Sequence, residues 1–537
     1  MEHRNNNHGF LQGAFILTLA GLVVKLLGAL YRLPLARIIE DEGMGLYQMA
    51  YPIYITLLSI STAGIPTAIS KMVAEKRALG QYRESHRVFK ISLFILTIIG
   101  LSFTVVLLLI SRFLADNILA NSKAYYPLIS IAPAIFFVSI MSAFRGFFQG
   151  MQTMVPSAIS QIAEQLGRVV AVFPLVYFFL PRGIEFAAAG AAFGPVVGAI
   201  AGLFVLLVIY KRQRRIITSE ISADMSSFTE STSSIAYNLI TFAIPITLGG
   251  LIIPVMNLAD AGIVNRKLQL AGFTVKRATE LYGQLTGMAG PLINLPVIVT
   301  IALGASLVPA ISEAIAINDH RLASYRASAG IRVALIFALP SAAGLYALAR
   351  PICILLYRNS EAGVPLSVLA FGVIFLSLNQ TTASILQGIG KTVIPVKNLL
   401  IGALMKVLLN YSLTGIPEIN IRGAALGTVT GYLVASCLNL AAVNREVGII
   451  WDIRQMIITP IVSTVAMAIS AIHSYKALFI YTNSNTISTF LAIAVGAIVY
   501  TIFLLALGGV NENDFEIIPG IGPRLAKILK ELNLLRR

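Results

Sequence analysis

About fourteen stretches of roughly 20 mostly apolar residues, joined by short polar connections, follow one another along this chain. Nothing constrains its fold more. A bilayer interior has no water to satisfy peptide groups, so each stretch must close its own hydrogen bonds as a helix. The windows begin with Gly9 to Ile38 and Gly45 to Val73, pass through Ile235 to Val264 and Gln284 to Ile317, and end with Ile453 to His473 and Thr486 to Leu507. Hydrophobic residues are 57% of the 537 and charged residues 12%, which excludes a soluble globule and a disordered chain. The polar start, Met1 to His8, leads into an apolar run too long for a removable signal and is read as entering the first span. The expected fold class is an all-α polytopic membrane protein.

Lys and Arg total 40 against 24 Asp and Glu, a net charge of +16 that in a soluble chain would point to nucleic acid. Here loop position explains it. About 24 of the cations fall on the side of the termini and about 13 opposite, which predicts both termini in the cytoplasm. The two cysteines, Cys353 and Cys437, lie far apart in apolar runs, so no disulfide framework or metal cluster is expected.

The chain repeats itself. Gly190-Ala191-Ala192-Phe193-Gly194-Pro195-Val196-Val197-Gly198 matches Gly423-Ala424-Ala425-Leu426-Gly427-Thr428-Val429-Thr430-Gly431. Pro66-Thr67-Ala68-Ile69-Ser70 pairs with Pro309-Ala310-Ile311-Ser312, and Gln149-Gly150, Thr153 and Pro156 pair with Gln387-Gly388, Thr392 and Pro395. Small residues recur at membrane-helix contacts, so one such match means little, but an ordered series each six spans apart indicates duplication. Six is even, so the copies share an orientation and form a parallel repeat. The expected organisation is a six-helix lobe over 1–210, a cytoplasmic linker over 211–234, a second six-helix lobe over 235–445, two added spans over 446–509 and a basic tail over 510–537.

Charged groups inside the hydrocarbon cost about 2.5 to 3.5 kcal/mol each on insertion scales, so they mark a pathway or a partner. Lys25 and Arg32, two turns apart in the first span, share a face and suggest a water-filled cleft. Arg37 admits either that cleft or snorkelling to the interface. Glu164 and Arg168, four apart and flanked by Gln161 and Gln165, read equally as a structural ion pair or as part of a site. Asp260 with Asn257 offers oxygens for Na+ or a proton, or marks a helix end. Lys406 and Asn410 form another polar face, with Asn379 and Gln380 in the preceding span. Lys25, Arg32, Arg168 and Lys406 outnumber Glu164 and Asp260, so the interior should attract anions.

The tail segment Ile518-Pro519-Gly520-Ile521-Gly522-Pro523-Arg524 has the pattern of a phosphate-binding helical hairpin, but at the end of a membrane protein a cytoplasmic cap is the expected role, with no nucleic-acid partner.

Several motifs resemble a known family. Gly28-Ala29-Leu30-Tyr31-Arg32-Leu33-Pro34-Leu35-Ala36-Arg37, Glu42-Gly43-Met44-Gly45-Leu46-Tyr47-Gln48, Gly64-Ile65-Pro66-Thr67-Ala68-Ile69-Ser70-Lys71, Arg145-Gly146-Phe147-Phe148-Gln149-Gly150 and Leu307-Val308-Pro309-Ala310-Ile311-Ser312-Glu313 are similar to the stage V sporulation protein B and YtgP group of polysaccharide biosynthesis proteins. That group belongs to the superfamily shared by multidrug extrusion transporters and lipid-linked oligosaccharide flippases. The resemblance implies paired lobes, alternating access, a bacterial plasma membrane and an undecaprenyl-pyrophosphate-linked cargo. It implies no cofactor and no enzymatic reaction, with roles in peptidoglycan or polysaccharide synthesis, cell shape or sporulation, and cell-wall synthesis or division proteins as partners. Arg32 sits, shifted by one residue, where lipid II flippases carry a first-span arginine. Their second-span cation has no counterpart at Leu57, Leu58 and Ser59, and Lys71 and Arg145 are the candidates to replace it. The expected site is therefore Lys25, Arg32, Arg37, Arg145, Glu164, Arg168 and Lys406 for substrate, with Asn257 and Asp260 for a coupling Na+ or H+.

Two other classes remain to be separated. A cation-coupled drug antiporter needs carboxylates facing its substrate, and a membrane glycosyltransferase or ligase needs acidic or His clusters on a large external loop. No phosphate loop of the Gly-x-x-x-x-Gly-Lys-Ser/Thr kind occurs in the sequence, so ATP is not the expected drive.

Overall fold

The computed structural model describes residues 16–509 apart from 18, 22, 25, 227 and 228. Lys25 and the tail hairpin lie outside the described residues. Contacts divide the chain into two compact units, Met1–Arg266 with Val275–Gly283, and Lys267–Thr274 with Gln284–Arg537.

The first unit contains α1 (Leu19–Leu30), α2 (Arg32–Thr62), α3 (Ile65–Ala78), α4 (Tyr82–Phe113), α5 (Tyr125–Ile131), α6 (Pro133–Gly150), α7 (Val155–Phe179), α8 (Ile184–Ala223), α9 (Thr232–Gly250), most of α10 (Ile252–Leu270), and α11 (Val275–Tyr282). The second contains α12 (Gly290–Ala316), α13 (His320–Ala347), α14 (Ala349–Tyr357), α15 (Gly363–Leu369), α16 (Gly372–Gly388), α17 (Val393–Leu413), α18 (Ile421–Glu446), α19 (Thr459–Thr482) and α20 (Asn485–Ala506). Among the described residues twelve helices are long and apolar enough to span a membrane, thirteen with α15 and α16 taken as one bent span, and α1 is a further, shorter apolar helix. The all-α polytopic class stands.

Local chemistry explains where helices start and bend. Pro133, Pro156, Pro291 and Pro460 lie in first turns, where a missing N–H breaks no helical bond. Ser231 and Asp319 cap α9 and α13 by accepting from the N–H of Ser234 at 3.1 Å and of Leu322 at 2.9 Å. Helical bonding runs from α1 into α2 through Tyr31, whose N–H donates to the Leu27 carbonyl at 3.1 Å. It breaks at Glu40, where φ is +54° and ψ is −165°. The stretch 32–39 thus continues the first apolar run and 41–62 begins the second.

Each unit has its own core. In the first, Ile69, Phe89, Phe144, Phe147, Phe148 and Leu203 pack together, with the Phe89 and Phe147 rings stacked at 4.4 Å. In the second, Leu303, Leu307, Ile331, Ile385 and Leu386 do the same. Large apolar side chains such as Phe94, Leu109, Val170 and Phe204 stay exposed, an outer surface suited to lipid.

The duplicated glycine motif builds the same contact in each unit. On α8, an added Cβ at Gly198 would stand 2.5 Å from the Glu164 carbonyl oxygen, and one at Gly194 3.3 Å from Arg168 Cγ. On α18, a Cβ at Gly431 would stand 3.0 Å from Lys406 Cβ, and one at Gly427 would run into the Asn410 amide. The missing side chains let α8 approach α7, and α18 approach α17, along the face bearing the buried polar residues.

Where a linker was expected from residue 211, α8 continues to Ala223, giving 40 residues. At 1.5 Å per residue that is about 60 Å, twice the hydrocarbon thickness. No Gly or Pro interrupts Lys211 to Ala223, so the helix has no reason to stop. The end of α8 and the chain after it are strapped to the α3–α4 turn. Lys76 pairs with Glu230 at 2.8 Å, Arg77 holds Glu220 through two hydrogen bonds of 2.9 and 2.8 Å, and the Arg83 N–H donates to Asp224 at 2.7 Å. Hydrogen bonds centred on Ser226 and Arg83 hold the Asp224 carboxyl below its usual range, and Lys76 with Ser234 does the same for Glu230.

Candidate functional site

A polar group lies inside the first unit, where α2 and α7 meet. Arg32 opens α2, its guanidinium carbon 5.8 Å from the centre of the Tyr51 ring. Tyr47, Tyr51 and Tyr54 follow on α2 at spacings of four and three residues, which aligns them along one helical face. Their rings are neighbours at 5.7 Å and 5.9 Å, and the Tyr31 and Tyr47 hydroxyls meet at 3.4 Å across the Glu40 break.

From α7, Glu164 receives two arginines. Arg168, one turn on, donates to it at 3.4 Å, and Arg145 of α6 donates at 3.0 Å. Arg145 is also tied down by its Nε donating to Ser160 Oγ at 2.8 Å. Of the two readings left open for Glu164 and Arg168, the pair is real and it is also shared with a third charge. Three guanidiniums and one carboxylate leave the group cationic.

Its unfilled donors define what it can do. Arg32 Nε, Arg168 Nε and Gln165 Nε2 are buried without a hydrogen-bond partner among the described residues. Gln165 is 4% exposed, and its amide faces α1, since a Cβ on Gly28 would stand 3.6 Å from Nε2. Buried donors are nearly always satisfied, so three together call for an acceptor. All three are N–H groups, and the complement of such a set is an oxyanion, which guanidinium forks grip bidentately.

The other expected residues are placed as follows. Arg37 is exposed on α2. Lys71 is half-exposed, pairs with Glu75 at 3.6 Å and lies 4.6 Å from the Phe242 ring. Lys406 is buried on α17 of the second unit, beside Asn410. On α10 Asp260 is buried but Asn257 is exposed. Among the described residues no three His, Cys, Asp or Glu side chains gather as metal ligands. Sequence reasoning missed the tyrosines, although the 47, 51, 54 spacing was available as a one-face signal.

The polysaccharide biosynthesis protein family matches residues 10–315, more than half of the chain. The chain belongs to that family. A MatE family match covers residues 286–412. Stage V sporulation protein B of Bacillus subtilis (strain 168) is 32% identical over 96% of this chain and 98% of its own length. Lipid II flippase MurJ of the same organism is 27% identical over 95% of this chain and 97% of its own. Among solved structures, lipid II flippase MurJ in an inward closed conformation aligns with a TM-score of 0.68 at 15% identity, over 91% of this chain and 98% of that one. An inward-facing multidrug resistance MATE transporter of the MOP superfamily aligns at 0.65 and 16% identity, over 79% and 98%. These last two show the fold. The family member is thus a multi-pass membrane protein with a transporter fold, related to MurJ and stage V sporulation protein B.

Proposed function

We propose that this family member is a flippase that carries the pyrophosphate-bearing headgroup of an undecaprenyl-linked cell-wall precursor, lipid II or a related lipid-linked oligosaccharide, from the cytoplasmic to the outer leaflet by alternating access. The observation that carries the reading is the set of buried, unfilled N–H donors that Arg32, Arg168 and Gln165 supply on the packed helices α2 and α7. A sugar headgroup with a pyrophosphate cannot cross hydrocarbon unaided, because its polar groups would lose water without replacement. The guanidiniums replace that water at the phosphates while the polyprenyl tail stays in lipid. The half-buried Tyr51 ring offers a flat face to an adjoining sugar.

Membrane potential is a sufficient drive. An anion moving outward across an inside-negative membrane gains about 2.3 kcal/mol per charge per 100 mV. Coupling to Na+ or H+ at Asp260 is a separate proposal, and an unchanged transport rate in Asp260→Asn would remove it.

The MatE match favours a second reading, a cation-coupled drug antiporter. Its cationic substrate would need an available carboxylate, and Glu164 is already shared by two arginines. Reconstitution separates the readings. Liposomes carrying the protein and lipid II should expose headgroups at the outer face, and Arg32→Ala or Arg168→Ala should slow this at least about tenfold, the equivalent of one charged hydrogen bond. Parental rates in both variants, or efflux of a cationic dye by the parent, would overturn the flippase reading.

A further inference from the structure

An anion site that already contains an anion needs explaining. Glu164 could be a strut that locks α6 to α7, but its two contacts are unequal. Arg145 is held at 3.0 Å and fixed again by Ser160, whereas Arg168 is held at 3.4 Å with its Nε unpartnered. Glu164 therefore has one firm partner and one that it holds loosely. Removing Arg168 from it would not strand a buried charge, because Arg145 remains.

We propose that Glu164 is a resident competitor for the substrate phosphate, a positioning residue that holds Arg168 in the empty site, yields it to the incoming anion and reclaims it at release. The inference rests on the flippase reading above. With Arg32, Arg145, Arg168 and Glu164 the empty group carries a net charge near +2, which the roughly two negative charges of a pyrophosphate diester would cancel. A site of this charge without an internal rival would bind its cargo and keep it. Tight binding of the loaded state slows the next step, so exchange of one carboxylate for one phosphate keeps binding and release both accessible.

The test uses the purified full-length chain, with inorganic pyrophosphate as the binding probe by calorimetry and lipid II translocation in liposomes as the second readout. Glu164→Gln keeps an amide oxygen for Arg145 but removes the charge. It should bind pyrophosphate about tenfold tighter, with a lower half-saturating lipid II concentration and a lower maximal rate. Glu164→Asp should return both towards the parent. The double variant Arg145→Ala/Glu164→Gln removes both members of the firm pair and should bind pyrophosphate more tightly than Arg145→Ala alone, a comparison that decides the matter if Glu164→Gln does not fold. Unchanged or weaker binding in Glu164→Gln relative to the parent, or in the double variant relative to Arg145→Ala, overturns the competitor role. Parental pyrophosphate affinity in Arg32→Ala and Arg168→Ala would instead defeat the anion site itself.

Discussion

Gly198→Val tests the helix contact on which the site is built. An added Cβ would stand 2.5 Å from the Glu164 carbonyl oxygen and 3.2 Å from Arg168 Cβ, whereas ordinary contact begins at 3.4 Å. The obstruction is backbone, so no rotamer relieves it, and α8 must back away from α7 by about 0.9 Å. Overpacking of this kind costs about 1 to 3 kcal/mol, and the few tenths gained from Val over Gly in helix propensity do not offset it. Glu164 and Arg168 move with the strained backbone, so pyrophosphate affinity should fall as well. The assay is thermal unfolding of the purified protein in detergent beside pyrophosphate calorimetry. Gly249→Ala is the control, because nothing lies within 4 Å of its new Cβ, and it should melt at or above the parent. Gly402→Val, whose Cβ meets the Gly431 carbonyl oxygen, should destabilise the second unit by a similar amount. If Gly198→Val melts with the parent and binds pyrophosphate as tightly, the glycine-mediated contact is not what positions these charges.

Three further outcomes are expected. Arg37→Ala should translocate lipid II at close to the parental rate while Arg32→Ala does not, because Arg32 lies against Tyr51 with a buried Nε whereas Arg37 is exposed; equal losses would refute the assignment. Tyr51→Phe should retain pyrophosphate affinity while Tyr51→Leu loses about 0.5 to 1 kcal/mol of it, the contribution of a ring beneath a guanidinium; equal affinities in calorimetry would dismiss that contact. The strap between Glu220 and Glu230 should loosen in acid, because the Asp224 and Glu230 carboxyls are held below their ordinary values of 3.8 and 4.5. Their contribution is complete above those values and is lost as pH falls through the lowered ones, so hydrogen exchange over 220–234 should rise below about pH 4 and stay flat from 5 to 8.

How much of this could be read from the sequence follows the physics of each feature. Span length is a demand of the bilayer, so residues such as Leu96 or Ile336 announced their helices without any tertiary information. The Gly-Ala motifs were legible because close helix approach needs small residues at a four-residue period, and α7–α8 and α17–α18 use them in the same way. Charges at Arg32, Glu164 and Arg168 stood out because hydrocarbon penalises them. Arg145 was harder: it lies in an Arg-Gly-Phe-Phe-Gln-Gly run and shows its partner only once α6 and α7 are packed, nineteen residues apart in sequence. The tyrosines offered only their one-face spacing, a weaker signal, since a buried tyrosine is ordinary until its hydroxyl and ring are seen beside a guanidinium. The continuation of α8 past residue 211 was obscured by its charges, which read as a loop although nothing in Lys211 to Ala223 breaks a helix. The repeat adds one more step. The polar face that α7 presents to the glycines of α8 carries Glu164 and Arg168, while the equivalent face of α17 carries Lys406 and Asn410. The two backbone contacts are alike while the side chains beside them differ, so the chemistry of each unit must be argued from its own residues and cannot be carried from one unit to the other.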